Sequence, residues 1–296
     1  MQASTPIALG IDIGGTKISA GLVDRNGNLV GTVCTIPTHA REEGEKIIDR
    51  LTRLVSKLTR QADGQGLTGI GVGCTGPLDI DRGVILECNN LPTLHHYPLK
   101  KQMEKAFGLP VRMNNDANAL ILGEALWGAG KKANRILGVT LGTGIGAALV
   151  EDKKIVRGAN GCAGEIWISP YREGIIEDYV SGTALSRLYR ELTQTEKSGV
   201  EIAALARQGD EHALHAWGTF TQALAYALAW CVNLTDPDAV VIGGSVVQSA
   251  DLYWTPLEEQ LKRHVCPEVA NRLRLRKASL GTHAGLIGAA ALLFVE

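Results

Sequence analysis

The sequence predicts an α/β protein of about two domains, and three observations support this. The chain has 296 residues, which is longer than a typical single domain. Its residues are 45% apolar and 21% charged, close to the averages of globular proteins, which excludes a disordered or collagen-like chain. A strand–glycine turn–strand pattern occurs near residue 12 and again near residue 142. We therefore expect two related α/β halves with a central cleft between them.

The first forty residues predict an antiparallel meander. Residues 7–13 form an apolar run that ends at a pair of glycines, and residues 17–23 form a second run. The Asn26-Gly27 turn then leads into a third run over residues 29–35, which is a strong hairpin pattern. This opening differs from the strand–helix–strand opening of a dinucleotide-binding fold.

The remaining elements follow from apolar periodicity and glycine or proline turns. Helices are predicted at 41–62, 98–107, about 212–234 and 284–294, and strands at 69–73, 111–113, 135–141, 147–151 and 239–242. The predicted domains are a smaller one, residues 1–117 with 284–296, and a larger one, residues 118–283.

Charge and cysteine usage narrow the functional classes. The net charge of −1 gives no overall attraction to nucleic acid or to an anionic membrane surface. The six cysteines include no C-x-x-C pair, which disfavours structural zinc and predicts free thiols in a reducing compartment. The first residues lack a basic-then-apolar signal pattern, and the most apolar helical stretch, 223–234, is too short to span a bilayer. We therefore expect a cytoplasmic protein.

The first motif that could bind a ligand or take part in a reaction is the turn after the first strand. Its glycines would let successive backbone N–H groups face an anion. The adjoining hydroxyl and amine would add donors, and the carboxylate before the glycines is placed to hold Mg²⁺ through water. An ordinary hairpin turn explains the same pattern. The residues are Asp12, Gly14, Gly15, Thr16 and Lys17.

Two further glycine motifs lie in the second half. Residues 141–147 have the wrong glycine spacing for a dinucleotide fingerprint and lead into a strand, so a second phosphate-binding hairpin fits better. Taken alone, the motif is explained equally well by a flexible loop. Its candidate residues are Gly142, Thr143 and Gly144. The strand at 239–242 ends at Gly243-Gly244, which would let a flat ring approach the backbone, although a plain strand-to-loop transition is the better explanation of this motif taken alone.

The fourth motif places a carboxylate among amides at a strand end. Asp116 follows Asn114-Asn115 and precedes a helix expected to open at about Ala119. It could cap that helix, or accept a proton from a bound hydroxyl. Together, two phosphate turns, a shelf for a flat ring and a lone carboxylate are typical of phosphoryl transfer, which depends on positioning and charge stabilisation.

With these motifs, the sequence resembles the ROK family of sugar kinases and repressors, within the actin-like ATPase superfamily. The resemblance covers nearly the whole chain and implies two actin-like, ribonuclease H-like domains flanking a cleft. It is carried, in order, by residues 12–17, 73–77, 90–92, 115–119, 141–146, 163–165 and 241–244.

The resemblance implies a hexokinase that uses Mg-ATP, with glucose as the first expected substrate and the 6-hydroxyl as the usual acceptor. Asp116 matches the catalytic base, and the glycine turns match the ATP-binding segments. The positions that match sugar contacts are Gly76, Asn90, Asn115, Glu165 and Glu177. A homodimer or homotetramer is also implied, without a nucleic-acid or membrane partner.

The chain departs from the family pattern after Glu165. Trp167 stands where the family has glycine, and Ile168 stands where it has histidine. The cysteine cluster expected before Glu177 is missing, so we predict no zinc. Packing by Trp167 and Tyr171 would hold this loop instead, although a plain core role is the better explanation for Trp167 alone. These changes leave the hexose open and could redirect specificity rather than abolish activity.

Three alternatives remain open beside the glucokinase-type enzyme. They are a kinase for an N-acetylated or other hexose, a catalytically weak sugar-binding protein, and a sugar-sensing regulator. Only eleven residues precede Asp12, which leaves no room for a DNA-binding domain before the first turn and disfavours the regulator. An acetate kinase-type enzyme is disfavoured by the Asn-Asp-Ala-Asn run and by the chain length.

Overall fold

The computed structural model describes residues 6–62 and 66–295, and their contacts divide into two compact units. The first unit comprises Met1–Lys132, Asp152–Gly161 and Ser279–Glu296, and the second comprises Ala133–Glu151 and Cys162–Ala278. Each unit contains a hydrophobic core of its own.

The described residues form the following strands: β1 Ile7–Ile13, β2 Lys17–Asp24, β3 Leu29–Pro37, β4 Leu67–Cys74, β5 Leu78–Asp79, β6 Val84–Ile85, β7 Val111–Asn115, β8 Arg135–Leu141, β9 Ile145–Glu151, β10 Lys154–Ile155, β11 Pro170–Tyr171, β12 Gly174–Ile175, β13 Ala239–Gly243 and β14 Arg274–Lys277. The α-helices are α1 Gly44–Gln61, α2 Leu99–Phe107, α3 Asp116–Leu126, α4 Gly182–Thr193, α5 Gly199–Arg207, α6 Glu211–Thr235, α7 Ala250–His264, α8 Pro267–Ala270 and α9 Ala284–Ala291.

The sheet of the first unit has the strand order β3-β2-β1-β4-β7. The β1–β2 and β2–β3 pairs are antiparallel, whereas β4 lies parallel to both β1 and β7. The carboxyl ends of β1, β4 and β7 therefore meet at the same edge of the sheet. The helix α1 buries one face, including Ile47, Leu51 and Leu58.

The helix α9 packs very closely on this sheet because small residues face each other. A Cβ atom on Gly71 of β4 would collide with the carbonyl oxygen of Ala289, so only glycine allows this approach. A Cβ atom on Gly288 of α9 would similarly collide with the backbone of Ala119 in α3. The apolar, small-residue sequence of α9 thus places it between the sheet and α3.

In the second unit, the strands of its own residues pair in the order β9-β8-β13-β14. The β8–β9 pair is an antiparallel hairpin, whereas β13 lies parallel to β8 and β14. The long helix α6 supplies much of the core, where Trp217 and Phe220 contact the ring of Tyr253 on α7.

The predicted α/β class and the order of its main elements are confirmed. The opening meander has the expected strands, and β8, β13 and α6 lie within a residue of the predicted bounds. The helix expected to open at about Ala119 begins earlier, at Asp116. Helices α4, α5, α7 and α8 were not predicted.

The domain boundaries proposed from the sequence, after residue 117 and before residue 284, remain a prediction. The compact units divide at other positions, and α3 lies wholly in the first unit, where it packs on α9. Across residues 6–62 and 66–295, no helix is both long and apolar enough to cross a membrane.

Candidate active site

In the first unit, two candidate carboxylates lie at neighbouring strand ends. Asp12 in β1 pairs in register with Gly73 of β4, and Asn115 at the end of β7 pairs with Cys74. Asp116 follows Asn115 directly, so the two carboxylates flank the end of β4, the strand that lies between β1 and β7. Parallel pairing thus brings together residues that are about one hundred positions apart in sequence.

The Asp12 carboxylate has an unusual pKa. The pKa of Asp12 is raised to about 6, mainly by burial and also by the negative charge of Asp116, while the ammonium group of Lys17 acts in the opposite direction. A bound cation would reduce the electrostatic repulsion between these two neighbouring, partly buried carboxylates.

The start of α3 fixes Asn115 and Asp116. Asn115 is the N-cap residue, and its Oδ1 accepts a hydrogen bond from the Ala117 N–H at 2.9 Å. The Ala117 N–H also donates to Asp116 Oδ1, at 2.8 Å. The cap proposed for Asp116 from the sequence is therefore supplied by its neighbour, because the helix begins one residue later than Asn115.

The predicted sugar contacts of the first unit surround these strand ends. A Cβ atom on Gly76 would lie 3.3 Å from Asn115 Nδ2, and a Cβ atom on Gly15 would lie 2.9 Å from the Asn90 carbonyl oxygen. Asn90 Nδ2 donates to Thr75 Oγ1 at 3.0 Å. The structure therefore brings Gly76, Asn90 and Asn115 to the same edge of the sheet as the first glycine turn.

The first glycine turn is closed by its own backbone. The Gly14 N–H donates to the Lys17 carbonyl at 3.0 Å, and Thr38 Oγ1 donates to the Gly14 carbonyl at 2.6 Å. Thr16 and Lys17 follow it and are exposed. Thr38, which is fully buried, was not identified from the sequence because a threonine after a strand carries no distinctive pattern.

The second glycine turn lies between β8 and β9 in the second unit. The Gly142 N–H donates to the Gly144 carbonyl at 2.9 Å, which closes the turn. The first residues of α4 brace it, since the Gly182 N–H donates to the Gly142 carbonyl at 2.7 Å and Thr183 Oγ1 donates to the Thr143 carbonyl at 2.9 Å. The hydrogen bonds from Gly182 and Thr183 were not predicted from the sequence, although Ser181 before them is a typical helix N-cap residue.

Glu177 lies against this same turn. Its Oε2 accepts a hydrogen bond from the Ile145 N–H at 3.0 Å. A Cβ atom on Gly144 would collide with that oxygen, so the glycine and the carboxylate fit together. Glu165, in contrast, is exposed and accepts a hydrogen bond from Trp167 Nε1 at 2.5 Å.

The Gly243-Gly244 pair ends β13 beside the second turn. Gly244 has φ of 87°, a conformation that favours glycine, and a Cβ atom there would collide with the backbone of Leu141 at the end of β8. The second glycine turn and the Gly243-Gly244 pair therefore lie at the neighbouring ends of two parallel strands, β8 and β13.

The donor set of the first unit fits Mg²⁺. This ion keeps several water ligands and needs only one or two protein carboxylates when phosphates supply further oxygens. The Asp12 carboxylate, whose ionised form is disfavoured by burial and by the charge of Asp116, meets that requirement. Within residues 6–62 and 66–295 no group of three or more His, Cys, Asp or Glu side chains could enclose a metal ion.

Comparison with known proteins identifies the family. The ROK family model matches residues 8–295. A glucokinase from Thermotoga maritima is 30% identical, with 96% of each chain covered, and an N-acetyl-D-glucosamine kinase from Vibrio cholerae is 30% identical, with 96% of this chain and 98% of the relative covered. The crystal structure of a ROK family glucokinase from Streptomyces griseus, in complex with glucose and AMPPNP, superposes with a TM-score of 0.83 at 31% identity, covering 97% of this chain and 98% of that one.

These matches extend over nearly the full chain, and they include a solved structure that superposes on 97% of it. The resemblance drawn from the motifs is thereby confirmed: this chain belongs to the ROK family.

Proposed function

We propose that this protein is an ATP-dependent hexose kinase that transfers the γ-phosphoryl group of Mg-ATP to a sugar hydroxyl, with glucose and its 6-hydroxyl as the first choice. The observation that carries the proposal is the position of Asp116. It follows Asn115 directly at the end of β7, and its charge acts on the neighbouring Asp12 carboxylate.

Asp116 is the proposed general base. A carboxylate held by the first turn of α3 can accept the proton of a sugar hydroxyl while that oxygen attacks the γ-phosphorus. The nearby side chains of Asn90 and Asn115 and the backbone at Gly76 are proposed to hold other hydroxyl groups of the sugar. Glu165 and Glu177 are the proposed sugar-side acceptors of the second unit.

The glycine turns are the proposed phosphate-binding segments. Gly14, Gly15, Thr16 and Lys17 would supply backbone N–H groups, a hydroxyl and an ammonium group to phosphate oxygens. Gly142, Thr143 and Gly144 would do the same in the second unit, and Gly243-Gly244 would face the adenosine. Bound Mg²⁺ neutralises phosphate charge in such reactions, and Asp12 is the proposed ligand, through water.

A second candidate substrate is N-acetylglucosamine. One of the relatives named for that activity is as similar to this chain as the glucokinase of Thermotoga maritima. Beside the proposed sugar contact Glu165, this chain has Trp167 and Ile168 in place of the glycine and histidine of the family pattern. We further propose a homodimer or homotetramer, to be measured by light scattering after gel filtration.

The proposal is tested by ADP release from Mg-ATP with glucose, N-acetylglucosamine, N-acetylmannosamine, mannose, allose and fructose. We expect turnover on at least one sugar. Asp116→Asn should lower kcat by about 10²–10⁴-fold because the base is lost, while calorimetry still detects sugar binding. Asp49→Asn, on the exposed face of α1, is the matched control. No turnover on any of these sugars, or an Asp116→Asn variant as fast as the control, would refute the proposal.

A further inference from the structure

The Glu165 side chain is held by an indole ring two residues further along the chain. Trp167 Nε1 donates to Glu165 Oε2 at 2.5 Å. Glu165 is exposed, whereas Trp167 is half-buried and packs against the core of the second unit. The hydrogen bond therefore connects a carboxylate in solvent to a ring fixed by packing.

The backbone beneath this pair is also fixed. Gly164 has φ of 95°, and a Cβ atom there would collide with the Ala147 carbonyl of β9. Residues Ile166–Ile168 then form a single 3-10 turn. Both ends of the Glu165–Trp167 hydrogen bond are thus attached to a backbone that packs on the sheet.

An indole N–H can only donate a hydrogen bond, so in this pair the Glu165 carboxylate is always the acceptor. It occupies a lone pair of Oε2 and leaves the lone pairs of Oε1 available to a hydroxyl donor. An exposed glutamate without such a partner samples many rotamers, and binding must restrict them. Because Trp167 already restricts Glu165, less conformational entropy is lost when a ligand binds.

The next residue offers no substitute for this donor. Ile168 is 57% exposed, and its side chain has no polar atom. Within the 3-10 turn Ile166–Ile168, Trp167 is the residue whose side chain can donate a hydrogen bond.

We infer that Trp167 is a positioning residue for sugar recognition, and that its indole N–H holds the Glu165 carboxylate in the orientation that accepts a sugar hydroxyl. The inference rests on the proposed function, because it assumes that Glu165 binds the sugar. It assigns to Trp167 an effect on sugar affinity rather than on phosphoryl transfer or on ATP.

The first test is Trp167→Phe, which keeps an aromatic ring and removes the N–H. We expect the KM for the sugar to rise about five- to tenfold, while kcat and the KM for ATP stay within about twofold. Trp254→Phe is the matched control, because Trp254 is also half-buried in the second unit and packs beside Tyr253. Its kinetics should match those of the wild type.

A double-mutant cycle separates positioning from general packing. If Trp167 acts through Glu165, then Trp167→Phe should raise the KM for the sugar in the wild type but add little in a Glu165→Ala background. Equal effects in both backgrounds would overturn the inference, as would a Trp167→Phe variant with an unchanged KM for the sugar. A wild-type protein inactive on every sugar would instead refute the proposed function.

A measurement on the wild-type protein covers the case in which Trp167→Phe does not fold. With ¹⁵N-labelled tryptophan, Glu165→Ala should shift one indole N–H resonance, which identifies Trp167. Titrating the preferred sugar into the wild-type protein, without nucleotide, should shift that same resonance. If the sugar binds and this resonance stays in place, the inference is wrong.

Discussion

Gly144 and Glu177 depend on each other, although they are far apart in sequence. The glycine leaves the space that the carboxylate occupies, and the carboxylate accepts the Ile145 N–H at the end of the same turn. A side chain at position 144 would therefore displace Glu177 and leave that N–H without its acceptor. The second glycine turn is thus shaped by a side chain as well as by its own backbone.

Replacing Gly144 by alanine should lower both stability and nucleotide affinity. We expect a loss of about 1–3 kcal/mol in the free energy of unfolding, from the collision and the lost hydrogen bond, and a severalfold higher KM for ATP. Thermal melting and steady-state kinetics measure these effects. The control for stability is Gly142→Ala, since a Cβ atom there would meet no atom within 4 Å.

The same substitution in a Glu177→Ala background distinguishes the proposed cause. With the carboxylate removed, Gly144→Ala should cost little additional stability. If the cost is the same with and without the Glu177 carboxylate, the collision is not its source.

Residues next to glycine turns could be predicted from the sequence, but their partners could not. The pattern Asp12-Ile13-Gly14-Gly15-Thr16-Lys17 is local, so its position at the end of β1 followed from the run itself. The contact of Gly15 with Asn90, and that of Gly144 with Glu177, join segments from different loops. A single sequence contains no periodicity that relates such positions.

Among the elements, α5 shows a local pattern that sequence analysis overlooked. Ser198 is its N-cap residue, and the Glu201 carboxylate accepts from the Ser198 N–H at 2.8 Å while Ser198 Oγ accepts from the Glu201 N–H at 3.3 Å. This is a capping box, and its Ser-x-x-Glu spacing is visible in the sequence. The hydrogen bonds with Ser198 and Lys197 lower the pKa of Glu201 to about 2.

This lowered pKa predicts a pH-dependent contribution of Glu201 to stability. The native state prefers the ionised carboxylate, so its contribution is present above the ordinary pKa of about 4.5 and is lost as the pH falls from there toward 2. Glu201→Gln should therefore melt below the wild type by the same interval at pH 7 and pH 5.5, and by a smaller interval at pH 4. Differential scanning calorimetry measures these intervals.

The comparison for Glu201 is Glu196→Gln. Glu196 is exposed and pairs with Arg190 at 3.0 Å, a contact of the kind that contributes little to stability. Its substitution should change the melting temperature little at any of the three pH values. A Glu201→Gln deficit that stays constant from pH 7 to pH 4 would contradict the assignment to the capping box.

Long or strongly periodic elements were predictable, whereas elements with mixed faces were not. The helix α1 has a regular apolar stripe, and β13 is a continuous apolar run that ends at glycines. In contrast, α7 contains Pro256 in its interior and carries charged residues in its last turn, which obscures its apolar face. The glycine that opens α4, Gly182, similarly hides the start of that helix.

At the scale of the whole chain, the C-terminal segment returns to complete the first unit. A buried carboxylate holds it there: Glu124 Oε1 accepts from the Ser279 and Leu280 N–H groups, both at 2.8 Å. Glu124 Oε2 accepts from the Ala129 N–H at 2.7 Å. This residue is fully buried, and its role in holding the C-terminal segment could not be predicted from the sequence because Ser279 and Leu280 lie more than 150 positions away.

Glu124→Gln tests this closure. The glutamine has the same shape, but its amide nitrogen cannot accept a hydrogen bond, so at least one buried N–H loses its partner. We expect a loss of about 2–4 kcal/mol in the free energy of unfolding. Hydrogen–deuterium exchange should show reduced protection in α3, α9, β1 and β4, which form one packed group, and wild-type protection in α6 and β13 of the second unit.

The control is Glu259→Gln, on an exposed face of α7, which should alter neither the free energy of unfolding nor the exchange protection. Protection lost evenly across both units would show that Glu124 supports the chain as a whole rather than the closure of the first unit.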